Sequence, residues 1–282
     1  MNGPHRIESL DDPRIDPFRD VRDRDLRGRD GLFMAESELV VRRLIRQPER
    51  LHSLLLSHEK FDRLSGELGV LPESVSVFLA DLDQISKIAG FHVHRGVLAT
   101  GHRPAPDELR VECVMNGIDA DATCTLLLAR GLTNVDNMGA LFRNAAAFGV
   151  DAIILDDACC DPLYRKAIRV SMGHALSVPW AIADDWIETL KALQHRWGIC
   201  LAAAECTSDS TPADQMEWPA RSGVILGSEG PGLDQETIRL CDRVVEIPMA
   251  SGVPSLNVAT ASAILLWEIR RQAGLRNETS GS

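Results

Sequence analysis

The 282-residue chain has no unbroken apolar run of the length a bilayer-spanning helix needs, so no membrane partner is expected. Its opening, MNGPHRIESLDDPR, has neither a hydrophobic signal core nor an amphipathic basic leader, and the expected location is the cytoplasm. Seven cysteines, at positions 113, 124, 159, 160, 200, 206 and 241, are an odd number and contain no CxxC pair. A disulfide framework or a zinc knuckle would need that pairing or ligand spacing, so reduced and mostly buried thiols are expected, with no metal. No G-x-G-x-x-G opens a helix after a first strand, and a Rossmann-type oxidoreductase therefore lacks its fingerprint. Excess positive charge is missing as well. The formal net charge is −11, which weighs against non-specific adhesion to nucleic acid by phosphate neutralisation.

What is present is an ordinary globular balance of 45% hydrophobic and 25% charged residues, enough for a proper core. Residues 1–50 carry eleven Arg, eleven Asp or Glu and no Lys, much of it alternating in sign. Such a segment supplies guanidinium forks for phosphates or simply neutralises itself as a solvated face, and the second reading is favoured. Residues 1–30 are read as an Arg/Asp-rich extension. From residue 31 to 105 a short α/β pattern follows: GLFMAESELVVRRLIRQ as strand into helix, LHSLLLS and SVSVFLA as strands, FDRLSGELG and DLDQISKIAG as helices closed by glycine, and FHVHRGVLATG as an exit strand. The Pro-containing stretch GHRPAPDE leads into a linker over 106–122.

The second half, 123–274, alternates more plainly. TCTLLLAR is a strand, NMGALFRNAAAFG a helix and VDAIIL a strand; DPLYRKAIRVSMG and DDWIETLKALQHRWG read as helices. ICLAAAE, GVILGSE and RVVEIPM are apolar strands, NVATASAILLWEIRRQA is the last helix, and 275–282 is read as a flexible tail. The expected class is α/β, with a mostly parallel sheet covered on both faces.

Three segments in this half carry polar residues in suggestive places. In NMGALFRNAAAFG, Met138, Leu141, Phe142 and Ala145 form a core-facing stripe at i, i+3, i+4 and i+7. Arg143 lies off the stripe, one turn after Gly139, and Asn137 sits near the helix start, where it can cap. ILGSEGPGL places Gly227, Gly230 and Gly232 within six residues, letting backbone approach a ligand, with Glu229 in the same turn. IPMASGVPSLNVATASAILLWE runs from strand through a small-residue loop into the last helix, with Ser255 and Asn257 flanking Leu256 at its start. Each segment also has a plain structural reading, as a capped surface helix, a glycine turn and a capped terminal helix. His92 and His94, two apart on the expected exit strand, are read as structural. Arg165, Lys166 and Arg169 form a basic helix edge that suits either RNA phosphates or solvent.

Taken together and in this order, the three segments closely resemble the motifs of the SpoU (TrmH-like) RNA 2′-O-ribose methyltransferases of the SPOUT class, over roughly residues 123–272. The first α/β stretch resembles the small ribosomal-protein-like RNA-binding domain that often precedes them, with FMAESELVVRRLI as its opening and HRGVLA as its exit; Arg95 departs from the more usual Gln there. The resemblance implies a trefoil-knotted C-terminal domain that holds S-adenosylmethionine (AdoMet) in a deep knot. Carried over by motif, cofactor contacts fall on Leu226, Gly227, Ile247, Met249 and Leu256, and catalytic positions on Arg143, Asn137, Glu229, Ser255 and Asn257. Ser228 stands where many relatives have Asn. The implied partners are tRNA or rRNA and a second copy of the chain, with DNA rejected for want of the 2′-hydroxyl. A catalytically silent RNA- or AdoMet-binding member of the same fold is the alternative.

Overall fold

A computed structural model of the chain describes residues 4–19, 31–228, 230–253 and 255–280, with side chains up to residue 274. It divides into two compact units, one of residues 1–104 with 162–177 and one of 105–161 with 178–282.

The first unit is built on a five-stranded mixed sheet in the order β1-β4-β3-β5-β2. Its strands are β1 (His5–Arg6), β2 (Leu32–Glu36), β3 (Leu51–Leu56), β4 (Ser76–Leu79) and β5 (Val97–His102). β1, β4 and β3 run parallel, whereas β5 pairs antiparallel with both β3 and β2. The helix Glu38–Ile45 buries Val40, Val41, Leu44 and Ile45 and leaves Leu39 exposed. The helix Leu82–Ala89 ends at Gly90 in the left-handed region, as its sequence implies.

Four features of this unit differ from the sequence reading. Residues 4–19, expected to be part of an extension, contribute to the core: β1 joins the sheet, and the 3-10 helix Pro13–Phe18 buries Ile15 and Phe18. The three-residue turn of a 3-10 helix places those two side chains on one face, and Asp12 caps it by accepting from the Arg14 N–H at 2.9 Å. Residues 20–30, the remaining Arg/Asp-rich stretch, lie outside the described residues. The histidines His92 and His94 sit in a loop before β5 rather than on a strand. FDRLSGELG forms two short helices, His58–Arg63 and Ser65–Leu68. The segment DPLYRKAIRVSMG, read with the second half, packs with this unit; only Arg165–Val170 is α-helical, because Met172 and Gly173 adopt left-handed backbone and end it.

The second unit is a seven-stranded, wholly parallel sheet in the order β10-β12-β9-β11-β6-β7-β8. The strands are β6 (Cys124–Ala129), β7 (Ala152–Asp156), β8 (Trp180–Ala183), β9 (Cys200–Ala204), β10 (Thr211–Pro212), β11 (Arg221–Leu226) and β12 (Arg243–Glu246). Near-continuous apolar runs such as Leu126–Ala129 and Ala152–Leu155 are fully buried, as parallel strands covered on both faces require. β12 stops at Glu246, short of the full RVVEIPM run read as a strand, which leaves Ile247–Met249 as loop. The terminal helix runs Val258–Ser280, so its backbone continues through most of the expected flexible tail. Among the described residues, no helix is long and apolar enough to cross a membrane.

Candidate active site

The carboxyl ends of parallel strands are where an open α/β sheet binds ligands. In the second unit β9, β11 and β12 end around a cavity of about 510 Å³, within the range of about 300–1,000 Å³ usual for small-molecule sites. Three loops wall it.

The first is the glycine turn after β11. Gly232 N–H donates to the Ser228 carbonyl at 3.2 Å, and Leu233 N–H donates to Glu205 Oε1 at 2.6 Å. The turn is so tight that a Cβ on Gly227 would lie 2.5 Å from the carbonyl carbon of Gly232. Gly232 has φ +67°, and a Cβ there would strike the Glu205 carboxylate. Both positions therefore require glycine, one for close backbone approach and one for its dihedral as well. The second loop follows β12, where Glu246 Oε2 accepts from the Ser210 hydroxyl at 2.7 Å. The third loop leads into the terminal helix, which Asn257 caps by accepting from the Ala259 N–H at 2.9 Å.

Leu226, Gly227, Ile247, Met249 and Leu256 all line the cavity, and so do Ser255 and Asn257. Asn137 does not line it but is buried behind Asn257, whose Nδ2 donates to Asn137 Oδ1 at 3.0 Å. Asn137 is not the helix cap that its position suggested. The helix begins earlier, at Val135 (Val135–Phe148), and Asn134 caps it by accepting from the N–H groups of Asp136 and Asn137. Arg143 lies on the same helix, exposed and outside the cavity lining, with no hydrogen bond or ion pair to a described residue. Glu229 lies outside the described residues.

Two residues that the sequence reading passed over hold this arrangement together. Asn144 Nδ2 donates to the Ala259 carbonyl at 2.7 Å and to Ser262 Oγ at 2.8 Å, clamping the first turn of the terminal helix to the Arg143 helix. Glu205 lines the cavity and anchors the glycine turn. The seven-residue spacing of Asn137 and Asn144, two turns on one helix face, was the available signal for the first. Nothing local marks the second. The cavity is acidic in character: partial desolvation, followed by the carboxylates of Glu246 and Glu205, pushes the Cys206 thiol up from its ordinary pKa. All the described cysteines are free, and no described cluster of His, Cys, Asp or Glu has the makings of a metal site.

Residues 125–267 match the model of the SpoU rRNA Methylase family. An uncharacterized tRNA/rRNA methyltransferase of Mycobacterium tuberculosis is 36% identical over 93% of this chain and 90% of its own length. The chain belongs to the SpoU rRNA methylase family. It is an RNA methyltransferase. The 23S rRNA (guanosine-2′-O-)-methyltransferase RlmB of Haemophilus ducreyi is 32% identical over 81% of this chain and 93% of that one. The fold is shared with the AdoMet-bound rRNA methyltransferase from Sinorhizobium meliloti, at a TM-score of 0.78 over 94% of this chain and 97% of that one, with 22% identity.

The cavity suits the SpoU cofactor on its own chemistry. Leu226, Ile247, Leu256 and Val258 offer apolar surface for a heteroaromatic base, and backbone packed as tightly as at Gly227 leaves main-chain groups to face a ligand. The carboxylates of Glu205 and Glu246 suit a ligand bearing positive charge.

Proposed function

We propose that the ribose 2′-hydroxyl methylated by this SpoU-family enzyme belongs to ribosomal RNA, with a guanosine of the 23S molecule as the first candidate. The relatives named for that reaction are 32% and 33% identical over 81% of this chain, against 36% over 93% for the general tRNA/rRNA methyltransferase, and they name a defined nucleotide where it does not. The observation that carries the site assignment is the Asn137–Asn257 hydrogen bond: it ties the helix bearing Arg143 to a loop that walls the cavity. Bound AdoMet supplies a methyl group on a positively charged sulfur. The chain's own residues position the acceptor. Arg143 is exposed and presents a planar fork of N–H donors matched to a phosphate. It grips the phosphate beside the acceptor ribose and donates a hydrogen bond toward the hydroxyl oxygen, acting as a positioning cation rather than a base; the hydroxyl proton leaves to bulk water as the oxygen takes the methyl group. Holding the oxygen in line with the methyl group supplies much of the acceleration. Ser255 and Asn257 complete the polar rim, Glu229 takes the catalytic part that its motif position implies, and the C-terminal segment threads as the knot of the family.

The working form is a homodimer in the cytoplasm. Leu265 and Leu266 of the terminal helix are buried within the chain, whereas Val253 and Leu256 stand exposed on the cavity loops and Ile264 and Trp267 stand exposed along that helix. An exposed apolar group of that kind favours a partner surface.

The test is transfer of labelled methyl from AdoMet to RNA from cells lacking this protein, followed by nuclease mapping. Label in an alkali-resistant 2′-O-methylated dinucleotide of 23S rRNA is the expected result, and label in tRNA would reassign the substrate. Arg143→Ala is expected to keep AdoMet affinity by calorimetry while transfer is lost. Comparable loss of both would show that Arg143 serves the cofactor instead.

A further inference from the structure

Among the described residues that line the cavity of the second unit, Glu205 and Glu246 are the charged ones, and no Lys, Arg or His stands with them. Two carboxylates give that lining a formal charge of −2. They leave neighbouring strands at matching positions. β9 and β12 pair in parallel with Val245 opposite Ala204, and the Glu205 N–H donates to the Val245 carbonyl at 3.0 Å. One step further along the same register sets Glu246 beside Glu205, on chains about 4.8 Å apart.

Each carboxylate has a neutral donor in place of a cation. Glu205 Oε1 accepts from Leu233 N–H at 2.6 Å, and Glu246 Oε2 accepts from the Ser210 hydroxyl at 2.7 Å. Neither makes an ion pair with a described residue. Side by side and half-buried, the two repel with less screening than in open water. Positioning alone does not account for that charge. A glutamine at either place would offer Leu233 or Ser210 the same acceptor oxygen without the repulsion. What the charge adds is a field inside the cavity, sharpened by the apolar walls of Leu226, Ile247, Leu256 and Val258.

We propose that Glu205 and Glu246 make the cavity select its ligand by charge, favouring the sulfonium of AdoMet over the neutral thioether of S-adenosylhomocysteine, so that methyl transfer itself loosens the product. This rests on the cavity being the AdoMet site, and adds to that reading the discrimination between substrate and product forms. In the transfer the methyl–sulfur bond breaks as the ribose oxygen–methyl bond forms. The sulfur keeps the electron pair and becomes neutral, and the hydroxyl proton goes to water. The ligand thus loses one positive charge while the −2 of the lining stays. Adenine, ribose and amino-acid portions are the same in both forms, so contacts of shape from the glycine turn hold the two nearly alike. Charge is the difference that a pair of carboxylates reads.

The test is titration calorimetry of the full chain with three ligands: AdoMet, S-adenosylhomocysteine, and sinefungin, in which a carbon bearing a protonated amine replaces the methylated sulfur. Glu205→Gln and Glu246→Gln keep the acceptor oxygens for Leu233 N–H and the Ser210 hydroxyl and remove only charge. Each is expected to weaken AdoMet and sinefungin about tenfold, the scale of one unit charge nearby at a dielectric between those of protein surface and water. S-adenosylhomocysteine is expected to weaken by no more than about twofold, because it carries no charge at that centre. Glu205→Ala removes the anchor of the glycine turn as well, and is expected to weaken all three ligands. Glu217 is exposed and outside the lining, and Glu217→Gln is expected to bind all three as the wild type does. Equal weakening of the three ligands in both glutamine variants would overturn the inference, because the glutamates would then hold a part that the ligands share. Unchanged affinity for all three would overturn it too. A wild-type chain that binds none of the three would instead remove the assignment of the cavity to AdoMet, and the inference with it.

Discussion

Gly227→Ala is the most informative perturbation of the cavity. A Cβ at this position would lie 2.5 Å from the Gly232 carbonyl carbon, 2.7 Å from the Leu233 nitrogen and 2.8 Å from the Gly232 oxygen. All three are main-chain atoms, so no rotamer change relieves the clash, and the turn must move by roughly 1 Å to reach ordinary contact distance. Two hydrogen bonds oppose that movement: Leu233 N–H to the Glu205 carboxylate and Gly232 N–H to the Ser228 carbonyl. Losing a bond to a charged acceptor costs about 1.5–3 kcal/mol and losing a neutral one about 0.5–1.5 kcal/mol, so the displaced turn is disfavoured by roughly 2–4 kcal/mol. If that cost falls on the ligand-ready conformation, AdoMet affinity drops at least about 30-fold. Titration calorimetry measures it, with circular dichroism to show that the fold persists. Gly230→Ala is the comparison, because φ is +96° there but nothing lies within 4 Å of an added Cβ. Its cost is backbone strain alone, about 1–2 kcal/mol. AdoMet binding by Gly227→Ala within threefold of wild type, or no weaker than by Gly230→Ala, would refute the reasoning.

Three further outcomes are expected. Cys206 is exposed and lines the cavity, so saturating AdoMet is expected to slow its alkylation while leaving exposed Cys113 unaffected, as read by mass spectrometry; unchanged labelling of Cys206 would place the cofactor elsewhere. Burial pushes the thiols of Cys124 and Cys241 up to about 11 and about 12, and both are expected to react only on unfolding. Glu268 on the terminal helix accepts from Arg271 and from Gln272, and the Arg271 hydrogen bond in particular holds its carboxyl below the usual range. A depressed folded pKa adds stability that is complete above the unfolded value of about 4.3 and is lost as pH falls through the folded value. The melting temperature of the wild type is therefore expected to fall on acidification below about pH 4, and Glu268→Gln to flatten that limb; an unchanged acid limb would remove Glu268 as its cause.

The parts of the fold that declare themselves in sequence are those governed by local period. The buried runs at Leu126–Ala129 and Ala152–Leu155 and the stripe Met138, Leu141, Phe142, Ala145 are read directly, because burial on both faces or on one helical face imposes the pattern. Most cavity-lining residues were legible for a different reason: they cluster in two short contiguous segments, around the glycine turn and before the terminal helix, whose resemblance to a family carries position by position, whereas Glu205 and Cys206 lie outside them. What stayed hidden depends on partners far away in the chain. Asn134 took the cap assigned to Asn137, because the helix starts two residues before Asn137, and caps are decided at element boundaries. The burial of Ile15 and Phe18 sits inside a charge-alternating stretch with two prolines, and only a 3-10 turn reconciles them. The return of residues 162–177 to the first unit has no periodic signature at all.

That contrast explains how a cavity walled by loops comes to be rigid. Each wall is held by a side chain distant in sequence: the glycine turn by Glu205, which itself lines the cavity, the end of β12 that leads into the second loop by Ser210 on Glu246, and the start of the terminal helix by Asn137 and Asn144. The far side of that helix is fixed as well, where Gln272 donates to the Met216 carbonyl and accepts from Trp218 N–H. Loops stabilised only by their own backbone would sample many shapes, and binding would then carry the cost of ordering them. Here the hydrogen bonds hold the three loops in place before a ligand arrives, as a backbone-lined site needs in order to discriminate by shape. The supporting ring also separates two kinds of residue that a motif comparison merges. Leu226, Ile247 and Leu256 face the cavity, whereas Asn137 and Asn144 act through the loops they hold. Substitutions in the second group should change affinity through loop order, and conservative replacements that keep the hydrogen bond should restore it.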